Sequence, residues 1–566
     1  MILFSTIFIL SFYGNVIIHP NSYLFNNEGD AIKNYFTFNY HIKHDNSFTN
    51  FEGMNYPYGE NIMYTDCHPV LANLLKLLAS EFSFFSDYSI GIINFLMLFS
   101  IFLTFIVCYL LLREFGITSW FSLLFSLGIT LLAPQIFRLG GHLSLSYSVA
   151  IPLSWLLIIR SLSYTDKLFY PVVLFINNIF WLFIHAYLGV IIIFFLFLII
   201  AGKFIIDKLR KKHIVNYVRV LSAVIMPLIL FYTFTQLTDT HAGRTDNPSG
   251  FFLYTAEFDD IFLPHHLPLS QLIDALTGNI IRQQWEAWSY VGITTTLIFI
   301  SILFLVVIKL LNRQKTTLED IFFKNMILNI SLASAFIVLL FAMAFPFKQI
   351  PWLLDIFPLL KQFRATGRFA WPFFFVSTVF AAVAMQEIYT KSKMTRWKIL
   401  ALASCILAGT FNIAEGIPYH LEVSKAISRS KNLFRMEYLP PSFQTAISKV
   451  TPGDYQAIIP LPFFYQGSES FSRPRNDESV RSAILISYHT GIPITAANLT
   501  RTSIRESKNI VQLVSPDFYK KEIISDLKDN RPFLVIRTKA GITNYEKEIF
   551  GKCTPLYVSD DISLYK

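Results

Sequence analysis

Two carboxylates early in the chain stand where they could do proton or cation chemistry. Glu28-Gly29-Asp30 follows an apolar run that ends near Ile18, and Tyr64-Thr65-Asp66 precedes His68-Pro69. A carboxylate held beside a bilayer is desolvated and can act as a general base or bind a divalent cation. Gly29 lets the backbone turn sharply, so that Asp30 can point back at the membrane. Each has a plainer reading, Asp30 as the N-cap of a helix that begins at Ala31 and Asp66 as the N-cap of a helix over 70–78. Cys67 and His68 offer soft-metal donors, but no partner follows at a ligand spacing. Tyr56, Tyr58 and Tyr64 can stack on sugar rings or form an interfacial aromatic belt.

Basic groups recur further along. Arg138 and His142, in RLGGHLS, are spaced i, i+4 and can meet one phosphate from a helix face. His185 lies in WLFIHAY. Both histidines fall at ends of apolar runs, where an ionisable group is costly and is a functional candidate by default. The alternative is a snorkelling Arg and a hydrogen-bonded His. In KQFRATGRF, Arg364 and Arg368 flank a Gly-containing turn directly before an apolar run, an arrangement that can clamp an anionic head group. Glu257, Asp259 and Asp260 with His265-His266 form a last polar cluster, either a solvated acidic turn or a metal site whose geometry the spacing does not demonstrate.

The elements that must position these groups are membrane spans. Of 566 residues, 53% are hydrophobic and 15% charged, against about 25% charged in soluble chains. Disorder, a collagen-like fibre and a disulfide scaffold are excluded by the same figures. Four Cys in no CxxC spacing exclude a Cys-based zinc site. The net charge of +9 points to the anionic inner face of a bilayer, with no nucleic acid as partner. Apolar runs able to cross about 30 Å of hydrocarbon cover 2–18, 89–112, 117–137, 143–159, 168–202, 220–238, 287–308, 325–347, 369–386 and 399–414. The first lacks a basic start and a cleavage site, which makes it an anchor rather than a signal peptide.

The run 168–202 is long enough for one tilted helix or for two short ones meeting near His185. Two crossings place the basic loops 160–167, 203–219 (with KLRKKH), 309–324 and 391–398 on one face. The long loops 20–87, 239–286 and 346–368 then share the other, as the positive-inside rule requires. About eleven transmembrane helices follow, with residues 1–414 as the membrane domain. From 415 to 566 no run can span. Apolar stretches at 455–461, 531–536 and 554–558 alternate with helix-like polar segments such as 515–529, which suggests a small extracytoplasmic α/β domain. No GxxxxGK phosphate loop is present on the inner side, so the chemistry belongs to the outer face of the cytoplasmic membrane.

A carboxylate just after the first span, an Arg pair in a late outer loop and an outer carboxy-terminal domain resemble the GT-C superfamily of polytopic glycosyltransferases. The matching residues are Gly29-Asp30, Tyr56–Glu60, Tyr64-Thr65-Asp66 with Pro69, Gly141-His142 and Phe363–Phe369. The resemblance covers nearly the whole chain and is closest to a bacterial branch of the superfamily. It implies transfer of a sugar from a polyprenyl-phosphate carrier to a glycan, lipid or protein acceptor, with membrane lipid around both. Asp30 is then the base, and Arg364 and Arg368, with Arg138 and His142, hold the carrier phosphate. Asp66 is a second carboxylate that orients the acceptor or a divalent cation such as Mg or Mn, and Glu28, Tyr58 and His185 line the substrate site. The superfamily's paired acids are replaced here by Glu28-x-Asp30, which leaves metal dependence open. A single strong carboxylate favours inversion of the hexosyl or pentosyl centre. Two alternatives keep the same outward-facing residues, a lipid-linked sugar flippase or transporter and a lipid-linked oligosaccharide polymerase or ligase. A non-enzymatic scaffold would have no need of the Arg pair.

Overall fold

Backbone polar groups in hydrocarbon must be satisfied within their own segment, so long apolar runs fold as helices. The computed structural model describes residues 2–211, 217–265, 269–278, 284–312, 325–392 and 394–566. Parts of three basic loops (212–216, 313–324 and 393) and His266 lie outside the described residues. Among the described residues, seven helices are long and apolar enough to cross a membrane: Ser89–Glu114, Ser119–Gly140, Leu143–Ser163, Ala186–Leu209, Tyr217–Thr238, Thr366–Lys391 and Thr395–Arg429. Four shorter apolar helices, Ile2–Ile18, Phe169–Ile184, Ile293–Lys309 and Met326–Ala342, fall on the remaining expected spans. The protein is a multi-pass α-helical membrane protein.

The run over 168–202 is two helices. His185 is extended (φ −161, ψ 121), and its ring accepts a hydrogen bond from the Tyr187 amide at 3.1 Å, capping the helix that begins at Ala186. Two other spans change pitch beside candidate residues. Pro134, which has no N–H to donate, opens a 3₁₀ turn over Pro134–Gly140 that carries Arg138. A second 3₁₀ turn, Thr366–Ala370, carries Arg368 into the helix Trp371–Lys391.

The last of these membrane helices runs for 35 residues, Thr395–Arg429, about 52 Å at 1.5 Å per residue. It therefore continues past 414 and joins the membrane helices to the carboxy-terminal sheet region. Glycines let it lie close against Ser119–Leu131: a Cβ on Gly416 would meet the Leu131 Cβ at 2.4 Å, and one on Gly128 would meet the Asn412 Cβ at 2.7 Å. Small residues at such crossings substitute close packing for the hydrophobic drive that lipid does not supply.

Beyond Arg429, β3 (Ile458–Leu461) pairs parallel with β4 (Leu534–Arg537), β4 pairs antiparallel with β6 (Ser563–Tyr565), and β6 pairs antiparallel with β5 (Pro555–Tyr557). The helix Asp477–Thr490 covers this sheet with Val480, Ala483, Ile484 and Leu485 buried. The segment 515–529, which reads as helix-like, instead holds only a 3₁₀ turn, Glu522–Asp526. Pro516 interrupts its start, and Phe518, Tyr519 and Ile524 stay exposed, so no apolar face pulls a helix onto the sheet. The first long loop forms a hairpin, β1 (Asn50–Phe51) with β2 (Glu60–Asn61), and bonds directly to the carboxy-terminal region. Ile494 N donates to Gly53 O at 3.0 Å and Tyr56 N to Ile494 O at 3.1 Å. Arg244 and Arg501 join the second and third long loops to the same body, which gathers at one end of the helices.

Candidate active site

Asp30 sits in the first turn of the helix Gly29–Lys43, where the helix dipole favours a carboxylate. The N-cap position belongs to the extended Glu28, and no side chain caps the helix. The N-cap reading of Asp30 is therefore replaced by a first-turn position, with the side chain half-buried against Arg475. Gly29 takes φ +59, a conformation that costs any other residue more. Asp30 Oδ1 accepts from Arg475 Nη1 at 2.8 Å, while Oδ2 has no hydrogen-bond partner among the described residues. One turn on, the buried Lys33 donates to Asp66 Oδ2 at 2.6 Å.

Asp66 and His68 both adopt left-handed backbone (φ 60 and 52), a strain that clusters at functional sites. His68, not Asp66, holds the N-cap position of the helix Pro69–Ala79. Asp66 is instead fixed by Lys33 and by His185, whose Nε2 lies 3.3 Å from Oδ1. Since His185 Nδ1 accepts from the Tyr187 amide, Nε2 carries the proton directed at Asp66.

Beside these acids lies a cationic cluster built around Glu286, on the 3₁₀ turn Trp285–Ala287. Glu286 Oε2 accepts from Arg368 Nε at 2.8 Å and Arg138 Nη1 at 3.2 Å, and Oε1 lies 3.4 Å from His142 Nε2. Arg138 is fully buried, with its guanidinium 4.0 Å from the Trp285 ring centroid and Nη2 donating to the carbonyls of Trp285 and Glu286. Arg368 lies over the Tyr187 ring, and neither of its Nη nitrogens has a hydrogen-bond partner among the described residues. Asn26 and Asn34 tie the turn before His142 to the first loop through the carbonyls of Gly140 and Gly141, at 2.9 and 2.8 Å.

Burial raises the Asp30 carboxyl, but Lys33, His142 and Arg475 outweigh it and hold it below its ordinary value. Burial also raises Asp66, and Lys33 and His185 reverse this strongly. Glu286 follows the same pattern: Arg368, His142 and Arg138 overcome its burial and hold it far below the usual carboxylate range. All three acids are ionised at neutral pH.

Thus Asp30, Asp66, Arg138, His142, His185 and Arg368 lie in one neighbourhood. The other selected residues point elsewhere. Arg364 diverges from Arg368 across Gly367, its Nε donating to Ser249 O at 3.0 Å and its Nη2 3.3 Å from Glu469. Glu28 is exposed and faces Arg481 at 3.8 Å. The Tyr58 hydroxyl donates to Asp526 at 2.5 Å and accepts from Asn509, fastening the hairpin to the carboxy-terminal region. Glu257 and Asp260 form a capping box, with His265 on the Asp260 carbonyl. Lys33, Glu286 and Arg475 join the site without having been singled out. Lys33, at i+3 from Asp30, carried a local signal; Glu286 lay in an unremarkable polar loop, and Arg475 is 445 positions away from its partner.

Among the described residues, Glu60, Asp239 and His241 form the one group with ligand atoms close enough for a metal ion. The Arg244 guanidinium already occupies that space, donating to Glu60 at 2.6 Å and Asp239 at 2.7 Å. These residues therefore do not fit a cation, and Asp30 and Asp66 are each already paired with a basic side chain.

The whole chain has the fold seen in ArnT. It is similar to ArnT from Cupriavidus metallidurans in the apo state, with 8% identity, a TM-score of 0.50, and coverage of 99% of this chain and 97% of that one. The same protein bound to undecaprenyl phosphate aligns with 9% identity and the same TM-score of 0.50. An Archaeoglobus fulgidus oligosaccharyltransferase tethered to an acceptor peptide aligns over 90% of this chain and 65% of that chain, with 13% identity and a TM-score of 0.40. No curated protein sequence matches. The model of the family described as "Domain of unknown function (DUF6311)" matches residues 2–409, and the chain belongs to that family.

Proposed function

We propose that this protein is a membrane glycosyltransferase that moves a sugar from a polyprenyl-phosphate carrier to a glycan, lipid or protein acceptor, at the outer face of the cytoplasmic membrane. The observation that carries the reading is a carboxylate oxygen, Asp30 Oδ2, and the Nη fork of Arg368, both without hydrogen-bond partners among the described residues and linked in one neighbourhood through His142 and Glu286. The GT-C fold supports it, and ArnT of the same fold has been seen with undecaprenyl phosphate.

In this reading Asp30 Oδ2 takes the proton of the acceptor hydroxyl. The acceptor oxygen forms a bond to the anomeric carbon, and the bond from that carbon to the carrier phosphate breaks. The phosphate leaves as an anion on the Arg368 fork, which Glu286 orients through Nε, with His142 beside it. Preorganised donors aimed at developing charge need no reorganisation during the step. Asp66 takes no proton, because Lys33 and His185 occupy both its oxygens; it holds Lys33 against the site. One free carboxylate fits an inverting displacement. Lys33, Arg475, Arg138 and Arg368 balance the negative charge of Asp66, Asp30 and Glu286.

The test is release of carrier phosphate by purified protein in lipid, given a polyprenyl-phosphate sugar. Asp30→Asn is expected to lower turnover about 10²–10⁴-fold, and Arg368→Ala about 10²–10³-fold, with folding retained. Undiminished turnover in Asp30→Asn overturns the reading, as does movement of the lipid-linked sugar across the bilayer without bond cleavage.

A further inference from the structure

The only basic side chain that touches Asp30 comes from the far end of the chain, among the described residues. Arg475 Nη1 donates to Asp30 Oδ1 at 2.8 Å, and its Nε donates to Asp477 at 2.8 Å. Its guanidinium lies against Gly29, where a Cβ would meet Nη2 at 3.7 Å. That Nη2 is buried without a hydrogen-bond partner among the described residues.

The segment that carries Arg475 is anchored on both sides. Upstream, Arg473 N donates to Tyr465 O at 2.8 Å, and Gln466 Nε2 donates to Arg473 O at 2.7 Å. Downstream, the Asn476 side chain accepts from Ser479 N at 2.8 Å and starts the helix Asp477–Thr490. Asp477, beside Arg475 in the chain, holds the guanidinium from its other edge. The carboxy-terminal region thus presents this side chain to Asp30 from a fixed platform.

On the reading of Asp30 as the base, we infer that Arg475 is a positioning residue of the active site, through which the carboxy-terminal region holds Asp30 Oδ1 and presents Oδ2 to the acceptor as an ionised base. Other charged groups face Asp30 from each neighbouring element. Lys33 lies on its own helix and His142 on the turn after Pro134–Gly140; Glu28, two residues before Asp30, faces Arg481 at 3.8 Å, and Asp477 bonds Arg475. Lys33 is committed to Asp66 and His142 to Glu286, so Arg475 is the cation that bonds Asp30 itself. Arg475 forms and breaks no covalent bond in the step.

The test is turnover of the full-length protein in lipid as a function of pH, for the wild type, Arg475→Lys, Arg475→Gln and Asp30→Asn. A carboxylate that loses an adjacent cation binds its proton more tightly, so the acidic limb of the rate profile moves to higher pH. The expected displacement in Arg475→Gln is about one pH unit, at the low end for an Arg beside an Asp because Asp30 is partly exposed. Arg475→Lys keeps the charge without the planar fork and falls between wild type and Arg475→Gln. Should Arg475→Gln fail to fold, the Lys variant carries the same comparison. A limb that stays in place while turnover falls equally at all pH values overturns the inference and leaves the transferase reading intact. Undiminished turnover in Asp30→Asn, or none in the wild type, overturns the reading and the inference with it.

Discussion

Glu286 meets Arg138, Arg368 and His142 at once, and two of those partners are buried guanidiniums. Neutralising it leaves two cations facing each other in a desolvated pocket, and removing one partner of a buried pair costs about 3–5 kcal/mol. Glu286→Gln is therefore expected to lower the unfolding midpoint in detergent, near the smaller figure because the Gln amide still accepts one bond. The acids also set a pH dependence. Asp30, Asp66 and Glu286 are held below their ordinary values. Such groups stabilise the folded state at any pH above their unfolded values, near 4, and lose that contribution as the pH falls toward the folded ones. The midpoint should stay level from about pH 5 to 8 and fall below about pH 4, with a smaller acid loss in Glu286→Gln. His142 and His185 stood out in the sequence because charge at the end of an apolar run is costly, Arg138 and Arg368 by their spacing to a second basic group, and Asp30 and Asp66 as carboxylates in the first long loop. The opposite directions of Arg364 and Arg368 were not legible there, since the 3₁₀ turn Thr366–Ala370 and the close approach of Gly367 to Ala287, where a Cβ would meet the Ala287 Cβ at 2.6 Å, set them.

Helix breaks do as much as the helices to build the site. Extended backbone at His185 ends one span and starts the next, placing an imidazole where an unbroken helix would turn it away. Hydropathy alone allowed one helix or two over 168–202, and the distribution of basic residues in the flanking loops separated the two, which agrees with the break. The helix-like reading of 515–529 failed because polar spacing without a buried face leaves nothing to drive a helix. Close packing of Ser119–Leu131 on the last helix gives a test at this scale. Gly416→Ala puts a methyl 2.4 Å from the Leu131 Cβ and must move one backbone. Overpacking of this kind costs about 1–3 kcal/mol, read as a lowered unfolding midpoint. Gly14→Ala, whose Cβ position has nothing within 4 Å, should leave the midpoint level or raise it.

Three loops and the carboxy-terminal region, separate in sequence, form one body at one end of the helices, and the proposed orientation places that end outside. Impermeant thiol labelling of intact cells checks it in a Cys553→Ser background, the other three cysteines being buried. Introduced cysteines at Glu28 and Phe518, both exposed, should react from outside, and one at Lys391, exposed at the other end, only after permeabilisation. Reaction of positions 28 and 518 from opposite sides would remove the shared compartment that the transfer step needs. The assembly is also held by its longest element. Thr395–Arg429 continues as one helix through Pro418, with Glu415 accepting from the Tyr290 hydroxyl at 2.6 Å and His420 meeting Tyr13 at 2.8 Å on either side of it. A slack tether would let the outer lobe wander and take Arg475 with it. A continuous helix in its place gives the lobe one bearing on the membrane helices, and Arg475 one bearing on Asp30.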